Sequence, residues 1–269
     1  MNFYDEIRIR YGNIKRARGF YVYTEKNIRL LDLYLDEGMS LLGRKESQIP
    51  LVLKQYTDKG LYSFFPTSAD YNLQKALHTL FPEHTEIAFY YDCQQVLDWF
   101  ERKTGKKDFS ENIWKPFLSS SEALKKQLGF FVQPPFCTSV KIAVFKKTAA
   151  AEIPKSGNIT ALEKAALAKA FFKLIKFIEL YKCAKLKPAA KQYGTAKKLC
   201  SEFWNIENMY LFPKIKKTDY EDFFKAALDA HILISPDFTI PSILPNINVY
   251  TELINFLKIQ KMLHIEKSD

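Results

Sequence analysis

No apolar run in this 269-residue chain approaches the roughly 18 to 20 residues that a membrane helix requires. The opening stretch MNFYDEIRIRYGN carries acids early and no apolar signal-peptide core, which points to a cytoplasmic protein with no membrane partner. Cysteine is scarce. Cys93, Cys137, Cys183 and Cys200 stand far apart, which excludes a CxxC zinc ribbon or redox pair and leaves buried thiols as the expectation. The motifs GxSxG, GxxxxGK, GxGxxG and HExxH are all absent. His78 and His84 lack the surrounding carboxylates or thiols of a metal site, so no metal is expected and both imidazoles are placed at the surface. Aspartate is missing from 109 to 218, and arginine from 141 to 200.

What is present is a folding composition, 47% hydrophobic and 15% aromatic. The net charge of +10 is uneven: residues 141–200 hold 14 Lys against Glu152, Glu163 and Glu179, or 14 − 3 = +11, leaving −1 elsewhere. Lys169, Lys173 and Lys176 fall within roughly 60° on a helix, at about 100° per residue, and define a basic face. Such a face attracts nucleic acid or an acidic partner. The missing arginine argues against bidentate phosphate and base contacts, and favours lysines that merely solvate a helix.

Periodicity divides the chain. Residues 1–18 read as a helix and a basic turn, and 20–23 with 28–35 as a hairpin. Helices are expected over 49–59 and 71–80, a buried strand over 86–91, and a helix to about 103 capped by Asp92 with Gln95. Trp114 to Phe117 reads as a loop anchor, and 121–128 as a helix. Strands are expected at 130–132 and 139–145, and a linker over 146–158. Thr160 with Glu163 caps a long helix, in which Phe171, Phe172 and Phe177 pack inward. A helix near 195–203, a strand at 209–212, a helix at 220–231, a strand at 232–235 and a closing helix from 249 complete the chain.

Residues 16–45, RARGFYVYTEKNIRLLDLYLDEGMSLLGRK, carry a recognisable pattern. Ala17, Gly19, Tyr21, Val22, Tyr23, Arg29, Leu31, Asp32, Gly38, Leu42 and Gly43 together resemble the N-terminal signature of the class III PLP-dependent aminotransferases. Residues 71–103 resemble that family's helix, strand, phosphate loop and helix, and 219–257 its terminal domain. About half the chain is covered, most specifically by the first stretch. The resemblance implies a fold type I, aspartate aminotransferase-like core shortened through its middle, and a homodimer.

PLP chemistry asks three things of a protein: a phosphate cradle at a helix N-terminus, an acid on the pyridine nitrogen and a Schiff-base lysine. The cradle positions that the resemblance implies are Tyr90, Tyr91, Asp92 and Cys93, two bulky rings and a carboxylate where a dianion should sit. No aspartate is available for the pyridine nitrogen between 109 and 218. Lys141 is the one lysine with any claim to the Schiff base, and a solvent-facing strand position is the plainer reading of it.

The expectation is therefore an α/β protein with a reduced PLP-dependent transferase-like core and an α+β C-terminal domain. Its segments would be 1–60, 61–157 and 158–269. No cofactor and no catalysis are expected, and the chain would act as a binding or regulatory protein, as a homodimer or with a protein partner. One alternative is a PLP-dependent aminotransferase of unusual construction; another is a nucleic-acid or anionic-surface binder using residues 141–200.

Overall fold

The two ends of the chain fold together, and the middle folds on itself. The computed structural model describes residues 3–44, 48–136, 138–183 and 191–266, and divides into unit 1, Met1–Lys45 with Leu186–Asp269, and unit 2, Glu46–Lys185. In chain order the elements begin α1 (Phe3–Tyr11), β1 (Ile14–Arg18), β2 (Tyr21–Thr24), β3 (Arg29–Asp32), α2 (Gln48–Asp58), α3 (Ser68–Leu80), β4 (Glu86–Tyr90) and α4 (Gln94–Thr104). They continue with β5 (Ile113–Trp114), α5 (Ser119–Leu124), β6 (Gly129–Val132), β7 (Lys141–Phe145), α6 (Ala161–Lys182) and α7 (Tyr193–Phe203). The last are β8 (Trp204–Glu207), β9 (Tyr210–Pro213), α8 (Tyr220–Asp229), β10 (Ile232–Leu233), β11 (Ser242–Ile243) and α9 (Thr251–Glu266). Among the described residues no helix is long and apolar enough to cross a membrane.

Unit 1 holds two sheets. In one, ordered β1-β2-β3-β10, the expected hairpin pairs antiparallel and β10 joins β3 in parallel, Leu31 opposite Ile232. The expected basic turn is instead strand β1, which is largely exposed and forms by pairing with β2 rather than by burial. The other sheet, ordered β11-β9-β8, is antiparallel. Its core gathers Leu30, Leu33, Trp204, Phe224, Tyr250 and Leu257, with Phe223 against the rings of Phe203, Trp204 and Phe256 at 5.3 to 5.5 Å between centroids. These are the offset and edge-on distances that aromatic quadrupoles favour.

Unit 2 is built on one sheet, ordered β4-β7-β6-β5, in which only β5 and β6 run parallel. Trp99 and Phe100 of α4 pack on Phe131 and Phe145 of the sheet. Gly129 is required there, because a Cβ on it would stand 2.3 Å from Phe145 Cδ1. Helices α2 and α3 pack on α6. Alanines line the buried side of α6, so Ile49 of α2 sits directly against Ala166 and Ala170. The Thr160–Glu163 capping box forms as expected, and Thr67 with Asp70 makes a second at the start of α3.

Several expectations change. The two units do not follow the expected segments, because the chain's ends share one core and α6 belongs to the middle. Residues 146–158 do not divide them. That stretch makes a 3₁₀ turn at Lys147–Glu152 and then runs beside β4, where Gly157 N–H donates to the Phe89 carbonyl at 2.7 Å. It thereby covers a sheet edge that would otherwise stand open. Trp114 is a strand residue, and α5 ends at Leu124. His84 is buried and its Nε2 meets the Gln127 carbonyl at 3.0 Å, contrary to a surface position. Of the thiols, Cys200 is buried, Cys93 half-buried and Cys183 exposed, while Cys137 lies outside the described residues.

Candidate functional site

The β4–α4 turn collects the sequence-derived site residues. Antiparallel pairing sets Tyr90 at the end of β4 directly opposite Lys141 at the start of β7. Tyr90 is buried and its hydroxyl donates to the Pro154 carbonyl at 3.0 Å; burial pushes the phenol up to about 12. Tyr91 is 55% exposed. Burial of its hydroxyl and the nearby Glu163 carboxylate raise its pKa. Asp92 does not make the expected capping box with Gln95. Its Oδ1 accepts the Gln94 N–H at 3.0 Å, and Cys93 is the N-cap residue with no side-chain cap. Burial pushes the Cys93 thiol up, against the pull of the Lys141 charge and with a further push from Asp92. A raised thiol stays protonated at neutral pH and is a poor nucleophile.

Lys141 is half-buried, with Nζ 5.2 Å from the centroid of the Phe109 ring, a cation–π distance. The register thus brings Lys141, Tyr90 and Cys93 to one place. The α6 lysines lie elsewhere in unit 2. Lys169 and Lys173 are half-buried and Lys176 is exposed. Lys164, one turn earlier, carries no signal in the sequence. Its Nζ meets Asp70 Oδ1 at 2.5 Å and ties α6 to α3. Phe171 is buried, and Phe177 meets Phe117 at 5.7 Å.

A second polar cluster sits in unit 1, within the segment that carries the resemblance. Asp32 closes β3 almost completely buried. Its Oδ1 accepts the N–H groups of Tyr34 and Leu35, and its Oδ2 accepts Arg44 Nε at 2.6 Å. The Arg44 guanidinium also grips both oxygens of Asp36, at 2.8 and 2.9 Å. Burial works against the Arg44 charge, but Asp32 and Asp36 outweigh it and hold its pKa above the ordinary value. The cluster restrains a left-handed turn in which Leu35, Asp36 and Glu37 have φ of 50°, 52° and 60°. Each such residue costs roughly 1–2 kcal/mol of strain, which the surrounding bonds offset. Periodicity offers no signal for Arg44, since its partners are fixed by the turn.

Comparison with known proteins gives this geometry a context. An uncharacterized protein of Treponema pallidum (strain Nichols) is 32% identical over 305 residues, covering 97% of this chain and 98% of its own. This chain belongs to the same family. Another relative, an uncharacterized protein of Borreliella burgdorferi, is 27% identical over 252 residues, covering 91% of this chain and 89% of its own. No protein-family model matches.

Solved structures extend the likeness to the fold of this family. An ornithine aminotransferase from Plasmodium yoelii superposes with TM-score 0.64 at 11% identity, covering 95% of this chain and 96% of that one. An acetylornithine aminotransferase from Elizabethkingia anophelis gives 0.61 at 11% identity, covering 98% of both. A glutamate-1-semialdehyde aminomutase from Pseudomonas aeruginosa, in complex with PMP, gives 0.61 at 10% identity, covering 91% of this chain and 86% of its own. The fold is therefore the α/β, fold type I architecture of the PLP-dependent aminotransferases, as the class III resemblance implies. At these identities the likeness speaks for the fold alone.

Proposed function

We propose that this family member is an aminotransferase-like protein that neither holds nor uses PLP and acts by binding, as a homodimer or with another protein. The observation that carries this reading is the β4–α4 turn. A helix N-terminus binds a phosphate through unpaired backbone N–H groups and a favourable dipole. Here the Asp92 carboxylate already accepts the Gln94 N–H. A phosphate brought there would face like charge, at a cost of about 1–4 kcal/mol per unit charge at 4 Å.

The backbone of β4 beside this turn is also engaged. Phe89 donates its N–H to Ser156 Oγ at 2.9 Å and accepts from Gly157. Tyr90 is buried beside it, with its hydroxyl on the Pro154 carbonyl. Lys141 rests against Phe109, and the span from 109 to 218 has no aspartate to hold a pyridine nitrogen protonated. The residues present do not fit the cofactor, so no catalytic step is assigned. The half-buried state of Lys169 and Lys173 weighs against the 141–200 nucleic-acid reading.

The test is titration of PLP into the purified protein, followed by absorbance and calorimetry, with borohydride reduction and peptide mass spectrometry. No visible band, no heat of binding and no PLP mass on any lysine are expected. A stoichiometric adduct on one lysine, Lys141 included, overturns the proposal in favour of an active enzyme of unusual construction.

A further inference from the structure

Strand β8 lies at one side of its sheet with β9 as its only strand neighbour among the described residues. The phase of the ladder follows from one bond, Lys214 N–H to the Phe203 carbonyl at 2.8 Å. In an antiparallel pair, hydrogen-bonded and non-hydrogen-bonded positions alternate. Asn205 and Glu207 therefore face β9, while Trp204 and Ile206, opposite Pro213 and Leu211, turn their backbone groups outward. Pro213 fits this phase, since its place in the ladder asks for no N–H toward β8. The Trp204 N–H closes α7 on the Cys200 carbonyl. What remains along the edge is the Trp204 carbonyl and the Ile206 N–H and carbonyl. None of these three has a hydrogen-bond partner among the described residues.

This edge opens onto a groove of about 540 Å³, lined by Lys197, Lys198 and Ser201 of α7, Asn205 and Ile206 of β8, and Lys214. Lys197 and Lys198 are exposed, and neither meets a carboxylate among the described residues. The acid next to them in the chain, Glu202, is engaged by Lys261 at 3.1 Å. Lys214 Nζ donates to the Ser201 carbonyl at 2.7 Å, which holds the side chain at the groove. A row of outward acceptor, donor and acceptor beside three ammonium groups is complementary to one kind of ligand. An extended polypeptide backbone supplies the matching donors and acceptors at the spacing of a strand, and carboxylates answer the lysines. A nucleic-acid strand would use the charges alone. The groove has no arginine, and its one aromatic, Trp204, is buried and offers no stacking face.

We infer that the free edge of β8 takes an extended acidic segment of a partner protein as an added strand, with its carboxylates on Lys197, Lys198 and Lys214. The inference stands on unit 1 alone and does not depend on whether unit 2 holds a cofactor. Failure here leaves the PLP titration unaffected.

The probe is a fluorescein-labelled octapeptide alternating Glu and Thr, followed by polarisation with the full-length protein at low and high salt. Saturable binding is expected, weakening with salt. Lys197→Glu with Lys198→Glu should weaken it about tenfold, as two exposed ion pairs turned to repulsion imply. Ile206→Pro removes the outward N–H without touching the bonds to β9, and should abolish strand addition in a protein whose circular dichroism is unchanged. Because that variant could fold poorly, the fully N-methylated peptide, equal in charge, is tested against the unaltered protein and should not bind. Absence of saturable binding overturns the inference. So does equal binding of the N-methylated peptide, or displacement by a single-stranded oligonucleotide of the same charge at the same concentration, either of which would mean a purely ionic surface.

Discussion

The two polar clusters of this protein, one in each unit, are built on opposite plans. In unit 1 a buried carboxylate, Asp32, and a guanidinium, Arg44, satisfy each other and hold two of the strained residues beside them, Leu35 and Asp36. In unit 2 the acid of the β4–α4 turn, Asp92, is exposed and, among the described residues, bonds its own helix alone. The first arrangement is costly to break, because a buried charge left alone has neither water nor partner. The second costs little to remove. The difference also explains the most family-like segment without a ligand. Gly19, Asp32 and Gly43 are each required by local architecture. Gly43 has φ +90°, its Cβ position lies 3.4 Å from the Gly19 backbone, and Gly19 and Arg44 exchange backbone hydrogen bonds.

Substitutions can break that comparison or sharpen it. Arg44→Ala should destabilise the protein by about 3–5 kcal/mol, read as a lower urea midpoint with faster amide exchange over 29–44. Asp92→Ala, its counterpart in unit 2, should change stability by no more than about 0.5 kcal/mol. Equal effects would erase the distinction between the clusters. Gly129→Ala should cost about 1–3 kcal/mol by overpacking against Phe145, with thermal unfolding as the measurement. An unshifted melting temperature would mean that the ring can move aside.

Thr160→Ala, which removes half of a capping box, should cost about 1 kcal/mol and raise amide exchange in the first turn of α6. The smallest effect expected is one of pH. Burial lowers the pKa of His84, with the Gln127 carbonyl acting the other way. Folding therefore favours the neutral ring. Its contribution is full above the ordinary imidazole value of about 6.5 and is lost as pH falls through the lower folded value. Melting temperatures measured down to pH 5 should decline, and His84→Asn should flatten that slope. An identical slope in the variant would place the titrating group elsewhere.

Helices with a clear apolar stripe are legible in the order of residues alone. Leu73, Ala76 and Leu77 of α3, and Val96, Trp99 and Phe100 of α4, are all buried as their spacing predicts. The Thr160 cap is legible because both of its partners lie within four residues. Short apolar strands such as β6 and β9 are legible too, but three others are not. β1 is polar and exposed, β8 continues directly from a helix, and β11 lies in a proline-rich stretch, so each exists only because a neighbour pairs with it. His84 departs from its expected surface position for a similar reason: its acceptor, the Gln127 carbonyl, lies 43 residues away. At the candidate site the residue types are legible, but their meeting depends on the register of β4 against β7.

Local order alone therefore decided which segments coil, where α6 begins, and that two rings and an acid, Tyr90, Tyr91 and Asp92, follow one another from the end of β4. Those features depend on neighbours within a turn or two, where spacing and side-chain chemistry act directly. Tertiary structure decided that the first 45 residues share a core with the last 84, that Arg44 locks a left-handed turn, and that Lys141 stands across from Tyr90. Those depend on contacts between residues far apart in the chain, and no local preference encodes which distant partner will complete a sheet or neutralise a buried charge.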